Sequence, residues 1–249
     1  MRFSRRHSVT EGGRSLLRFV AITTLAGAVT AFAGTVGIAQ MSSAAPSPAP
    51  TATLPPSPQG AEVVFVTSIQ KDLMRRFPRA ANALKAGYFR YGNEDETGAI
   101  SYVNLRWQSI DPRHPSQLWY DVKGNLLGGD FSVLQSSSPS APHLWGVNPR
   151  RWLDFPAHVH WVVVDPSGKE RYGYTTVAKF VAAGGDTSDP RAASVAALGK
   201  ATSAEQVTHV FVFPHVWDLI VWVKHNPDGA FADKNPLVTP SANAGKDSM

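Results

Sequence analysis

Beyond residue 98, short segments in which β-branched and aromatic residues cluster alternate with turn residues. Seven of them predict strands, over 99–107, 117–122, 126–134, 159–165, 169–175, 207–213 and 216–223. Lys123-Gly124-Asn125 and Pro166-Ser167-Gly168 supply hairpin turns, so successive strands run antiparallel. Helical composition is briefer. It covers 68–76 and 79–86, with Pro78 between them, and 192–200, where Asp189 can cap free amides and Pro190 suits a first turn. Ser203 and Gln206 have capping-box spacing for a single turn. The pattern predicts an α+β fold, mainly antiparallel β-sheet as a sandwich or partly closed barrel, with a few short helices.

The apolar pattern near the start is of another kind. Arg2, Arg5, Arg6, Arg14 and Arg18 precede an uncharged run over 19–39, diluted by Gly and Thr, which reads as an export leader cut near Ala39. Ser4-Arg5-Arg6 resembles the opening of a twin-arginine signal. Uncleaved, the run could just span a bilayer's hydrocarbon layer, roughly 30 Å thick. Residues 40–60 hold Pro46, Pro48, Pro50, Pro55, Pro56 and Pro58 among small residues and predict a disordered spacer. A single domain is expected over 61–240 and a flexible tail over 241–249. The expected location is periplasmic or secreted, with no membrane partner once the leader is removed.

Charge and cysteine content narrow the chemistry. The leader carries most of the net charge of +5, leaving a near-neutral body with no dense basic run, so nucleic acid is not an expected partner. With no cysteine, thiolate metal sites, cysteine nucleophiles and disulfides are excluded.

The sharpest constellation is His158-Val159-His160. Residues two apart in a strand share a face, which sets two imidazoles about 7 Å apart along the backbone, within reach of one divalent transition metal. Pairing 165 with 169 would place Tyr174 opposite His160 and Thr176 opposite His158, with Glu170 and Tyr172 on the same face. His215, at the Pro214 break, is the favoured third ligand, with His209 and Asp218 as further donors; zinc, copper, iron and manganese all fit such a set. An H-x-H pair also opens the cupin metal motif. Here the next acids, Asp165 and Glu170, lie across or beyond the turn, and no family is assigned.

Two other features invite ligands. Asn93, Asp95, Thr97, Gly98 and Ile100 imitate the start of a calcium loop, but Asn104 stands where a bidentate glutamate belongs; otherwise the segment is a solvated turn between helix and strand. Among seven tryptophans, Trp145 and Trp152 flank a Gly-Val-Asn-Pro loop and, with Tyr174, are candidates to stack on a small-molecule or glycan ligand. Trp217 and Trp222 face opposite sides of one strand, so at least one belongs to the core. There is no Gly-x-Ser-x-Gly elbow, phosphate-binding glycine loop or zincin helix. Asp130, Asp154 and Asp218 could act as acid or base with the histidines only if the fold brings them together. The expected function is metal binding through the H-x-H pair, with or without catalysis; the alternative is a non-catalytic ligand- or glycan-binding domain.

Overall fold

Helix α1 (Glu62–Arg76) turns Phe65, Val66, Ile69 and Leu73 inward at helical spacing, with Glu62 in its first turn and Arg75 and Arg76 in its last, matching the helix dipole. Its end is set by Pro78, which disfavours helical geometry at Phe77. The computed structural model describes residues 54–106 and 110–245, all within one compact unit. The leader, most of the spacer, Trp107 and the last four residues lie outside them. No helix among the described residues is long and apolar enough to cross a membrane.

After α2 (Ala80–Lys85) come β1 (Phe89–Glu94), β2 (Ile100–Val103), β3 (Gln117–Tyr120) and β4 (Leu126–Leu134). Next are β5 (Leu153–Phe155), β6 (His158–Val164), β7 (Glu170–Thr176), α3 (Val177–Ala182) and α4 (Ala192–Ala197), then β8 (Val207–Phe213) and β9 (Val216–Trp222). They form two antiparallel sheets, ordered β1-β2-β3-β4-β9-β5 and β7-β6-β8, rather than a closed barrel. The α+β expectation thus resolves into two sheets, with α1 packed on the outer face of the larger and α4 on that of the smaller.

The pleat of the larger sheet assigns each residue its side. Leu118, Tyr120, Phe131, Val133, Leu219 and Val221 join α1 in the main core. Gln117, Trp119, Asp130, Ser132, Asp218 and Ile220 follow the opposite parity and face the second sheet. On the smaller sheet, Trp161 and Val163 point outward against Val195 of α4. Its inner face meets the first sheet through aromatics: Phe89 stacks on His209 with ring centroids 4.7 Å apart and meets Phe211 edge-on. Two short corners carry the chain between sheets, Phe155-Pro156-Ala157-His158 and Phe213-Pro214-His215-Val216. Each has a proline, which cannot donate to a ladder and so ends strand pairing there.

All seven expected strands form, some trimmed by a few residues and two shifted by one, at His158–Val164 and Glu170–Thr176. β1, β5 and α3 come in addition. Thr176 caps α3 by accepting from the Lys179 amide at 3.3 Å, turning the chain from strand to helix without a loop.

The expected boundary at residue 60 lies inside packed chain. Arg151 donates to the Pro55 carbonyl at 2.6 Å and the Ser57 carbonyl at 3.2 Å, and the Phe231 amide donates to Pro56 at 2.9 Å. Arg151 also pairs with Glu62 at 3.1 Å, both side chains nearly sealed. The prolines that suggest loose chain leave carbonyls free of helix and sheet, and a guanidinium collects them. At the other end the Ser241 amide and hydroxyl donate to Glu94, and the Gly245 amide donates to the Glu94 carbonyl, so the tail is held at least to residue 245.

Candidate functional site

Between the sheets lies a cavity of about 710 Å³ lined mostly by carbon. Its first wall comes from the larger sheet: Tyr91, Ser101, Gln117, Trp119, Asp130, Asp218 and Ile220. The second comes from the smaller sheet and its corner, with His158, His160, Tyr174, Thr176 and Phe213. Strand parity explains both walls. His160 pairs across β7 with Tyr174 and across β8 with Phe211, and His158 pairs with Thr176 and Phe213, as the turn at 165–169 predicted for the β7 partners.

The two imidazoles lie with ring centroids 4.6 Å apart. His158 stacks on Phe213 and His160 on Phe211. Burial holds both rings below the usual imidazole range, with His160 pushed down to about 3 by burial first and the neighbouring His158 second. Both are therefore neutral at physiological pH. His158 Nδ1 lies 2.9 Å from the Pro156 carbonyl, an acceptor only, so Nδ1 carries the proton and Nε2 keeps a lone pair. Tyr91 sits edge-on to His160 at 4.7 Å and donates its hydroxyl to Gln117.

Opposite them are two buried carboxyls, Asp130 at 6% exposure and Asp218 at 4%. Neither has an ion-pair partner among the described residues. Burial raises both above the usual carboxylate range; the Asp218 charge raises Asp130 further, while the Ser132 hydroxyl opposes the rise at Asp218. Asp130 Oδ2 accepts from the Trp119 indole at 3.2 Å, and Oδ1 has no partner. Asp218 Oδ1 lies 2.7 Å from the Ser132 hydroxyl, which lies 2.6 Å from that of Ser116.

His215, the favoured third ligand, is placed elsewhere. Its Nε2 lies 2.6 Å from Asp154 Oδ1 at an exposed corner, and it does not line the cavity. His209 is stacked on Phe89. Among the described residues no group of three or more His, Asp or Glu has geometry to hold a metal ion. The acidic turn is a hairpin turn between β1 and β2, not a link from helix to strand, and Asp95 Oδ1 is taken up by the Thr97 amide and hydroxyl and the Ala99 amide.

The tryptophans mostly build structure. Trp152 is 4% exposed, and Trp145 stacks on Phe65 at 5.2 Å with its indole donating to Ile110. None of the six described tryptophans has an exposed side chain, so the expected stacking pair is core; a large ring beside an apolar loop gains more by filling α1's groove than by facing water. Tyr174, 63% exposed, is the expected ligand residue that reaches the cavity. Sequence reasoning named Asp130 and Asp218 but had no means of setting them across from the histidines.

The chain matches no family model, no curated protein and no solved structure.

Proposed function

We propose that this chain is an exported small-molecule-binding protein that holds a mainly apolar ligand between its two sheets. The observation that carries the reading is the inter-sheet cavity itself, apolar over most of its lining with a few convergent polar groups, the usual form of a small-molecule site. Phe213, Ile220 and Trp119 supply contact area, and Tyr174 stands exposed where it can close over a bound ring. The arginine-led apolar run at 19–39 supports a periplasmic or secreted setting.

The test is titration of the purified protein with the neutral fluorophore N-phenylnaphthylamine, beside Ala157→Trp, which fills the cavity from its rim. Saturable enhancement at one site in the native protein, lost in the variant, is the expected result. No enhancement in either sinks the reading.

A second reading is favoured by one observation: two neutral imidazoles with adjoining rings in the cavity wall. His158 and His160 could supply two ligands to a divalent transition metal whose remaining positions stay open to an exogenous ligand, with His215 contributing only if its corner moves. Elemental analysis after reconstitution, compared with the double variant His158→Ala, His160→Ala, tests it. Metal retained by the native protein and lost from the variant supports this reading; none retained by either ends it.

A further inference from the structure

The Asp218 carboxyl is buried at the cavity with no cation beside it among the described residues, and its two oxygens are not equivalent. Oδ1 faces the Ser132 hydroxyl, whereas Oδ2 makes no hydrogen bond among the described residues and is not sealed from the cavity. A buried carboxyl oxygen without a partner costs free energy that a ligand can recover.

Proton counting fixes what Oδ2 can do. Three contacts run in series: Asp218 Oδ1 to Ser132 Oγ, Ser132 Oγ to Ser116 Oγ, and Ser116 Oγ to the Asp130 carbonyl at 3.1 Å. Two hydroxyls bring only two protons to three contacts. If Asp218 is protonated on Oδ1, that third proton completes the series and leaves Oδ2 a carbonyl oxygen; a proton on Oδ2 would leave one of the three contacts without a hydrogen. If Asp218 is ionised, Oδ2 is a carboxylate oxygen. Oδ2 is an acceptor when the series is complete and when the carboxyl is charged.

We propose that Asp218 Oδ2 is the polar anchor of the cavity and accepts a hydrogen bond from the ligand, which is therefore an apolar molecule carrying a hydroxyl or N–H donor. On the other wall His158 has the same polarity: it offers Nε2 with its lone pair, because Nδ1–H is committed to Pro156. A ligand whose polar atoms are only acceptors finds these oxygen and nitrogen lone pairs opposed to its own. This inference rests on the ligand-binding reading above.

The experiment is displacement of N-phenylnaphthylamine by three probes of similar shape: naphthol, a donor; acetylnaphthalene, an acceptor; and ethylnaphthalene, with neither. The native protein should bind naphthol about tenfold more tightly than acetylnaphthalene, the scale of one hydrogen bond made against one left unmade. In Asp218→Leu that gap should close while ethylnaphthalene still binds. The native comparison needs no variant, so a misfolded Asp218→Leu does not shelter the proposal. Equal binding of naphthol and acetylnaphthalene, preference for the ketone, or a gap that survives in Asp218→Leu overturns the anchor while leaving the cavity reading intact. Failure of every probe, N-phenylnaphthylamine included, overturns both.

Discussion

Asp130 and His160 face one cavity and pull stability in opposite directions as pH changes. A carboxyl whose folded-state pKa is raised binds its proton more tightly when folded, so its unfavourable contribution is absent in acid and grows as pH rises above the unfolded value. Asp130→Asn keeps an acceptor for the Trp119 indole and has nothing to ionise. The variant should therefore gain stability relative to the native protein at pH 8 and show little difference at pH 4, as read by thermal unfolding at both. For His160 the folded value is depressed to about 3, so the neutral ring is costless above the unfolded value and its burden grows as pH falls from about 6.5 toward 3. His160→Phe removes a term of at most about 1.4 kcal/mol per pH unit over that window, and its Tm should fall less on acidification than the native one. The H-x-H spacing was legible because a strand's two-residue period is a local rule. That Asp130 and Asp218 stand opposite was not, since it depends on how two sheets stack, which no spacing within one strand encodes.

Strands with β-branched and aromatic residues declared themselves. β1 did not, because Arg90-Tyr91-Gly92-Asn93-Glu94 has the composition of a loop and is held in the sheet by pairing with β2 and by Arg90 lying over the Tyr172 ring at 4.8 Å. β5 is three exposed residues paired with β9, too short to carry a pattern. α3 was hidden because its apolar residues continue directly from β7. β4 shows the opposite situation, an element whose sequence reads plainly and whose glycines have a tertiary reason. A Cβ on Gly128 would lie 2.6 Å from both the Trp119 ring and the Val221 carbonyl. The ring lies against bare backbone, which brings its indole to Asp130. Gly128→Ala should cost about 1–3 kcal/mol by displacing that ring, measured by urea unfolding, and should weaken binding of the fluorophore.

At the scale of the molecule, the buried Arg151–Glu62 pair joins parts far apart in sequence: α1, the turn before β5 and the proline-rich segment at 55–57. Its geometry fixes the entry of the chain, and Arg151 also lies over the Phe231 ring at 4.4 Å. Arg151→Met removes the cation but leaves the Glu62 carboxylate buried, with only the Gln59 and Asn148 amides for company. The expected loss is about 3–5 kcal/mol in urea unfolding, and Glu62→Gln in the same background should recover part of it.

The two proline corners join the sheets on one side, and among the described residues no backbone hydrogen bond ties sheet to sheet across the cavity. Opening or closing the gap therefore breaks no ladder; it acts on side-chain contacts between the faces, the Phe89–His209 stack and Arg90 over the Tyr172 ring among them. The molecule resembles a book bound along one spine, its two leaves meeting through side chains while each page is held flat by its own ladder.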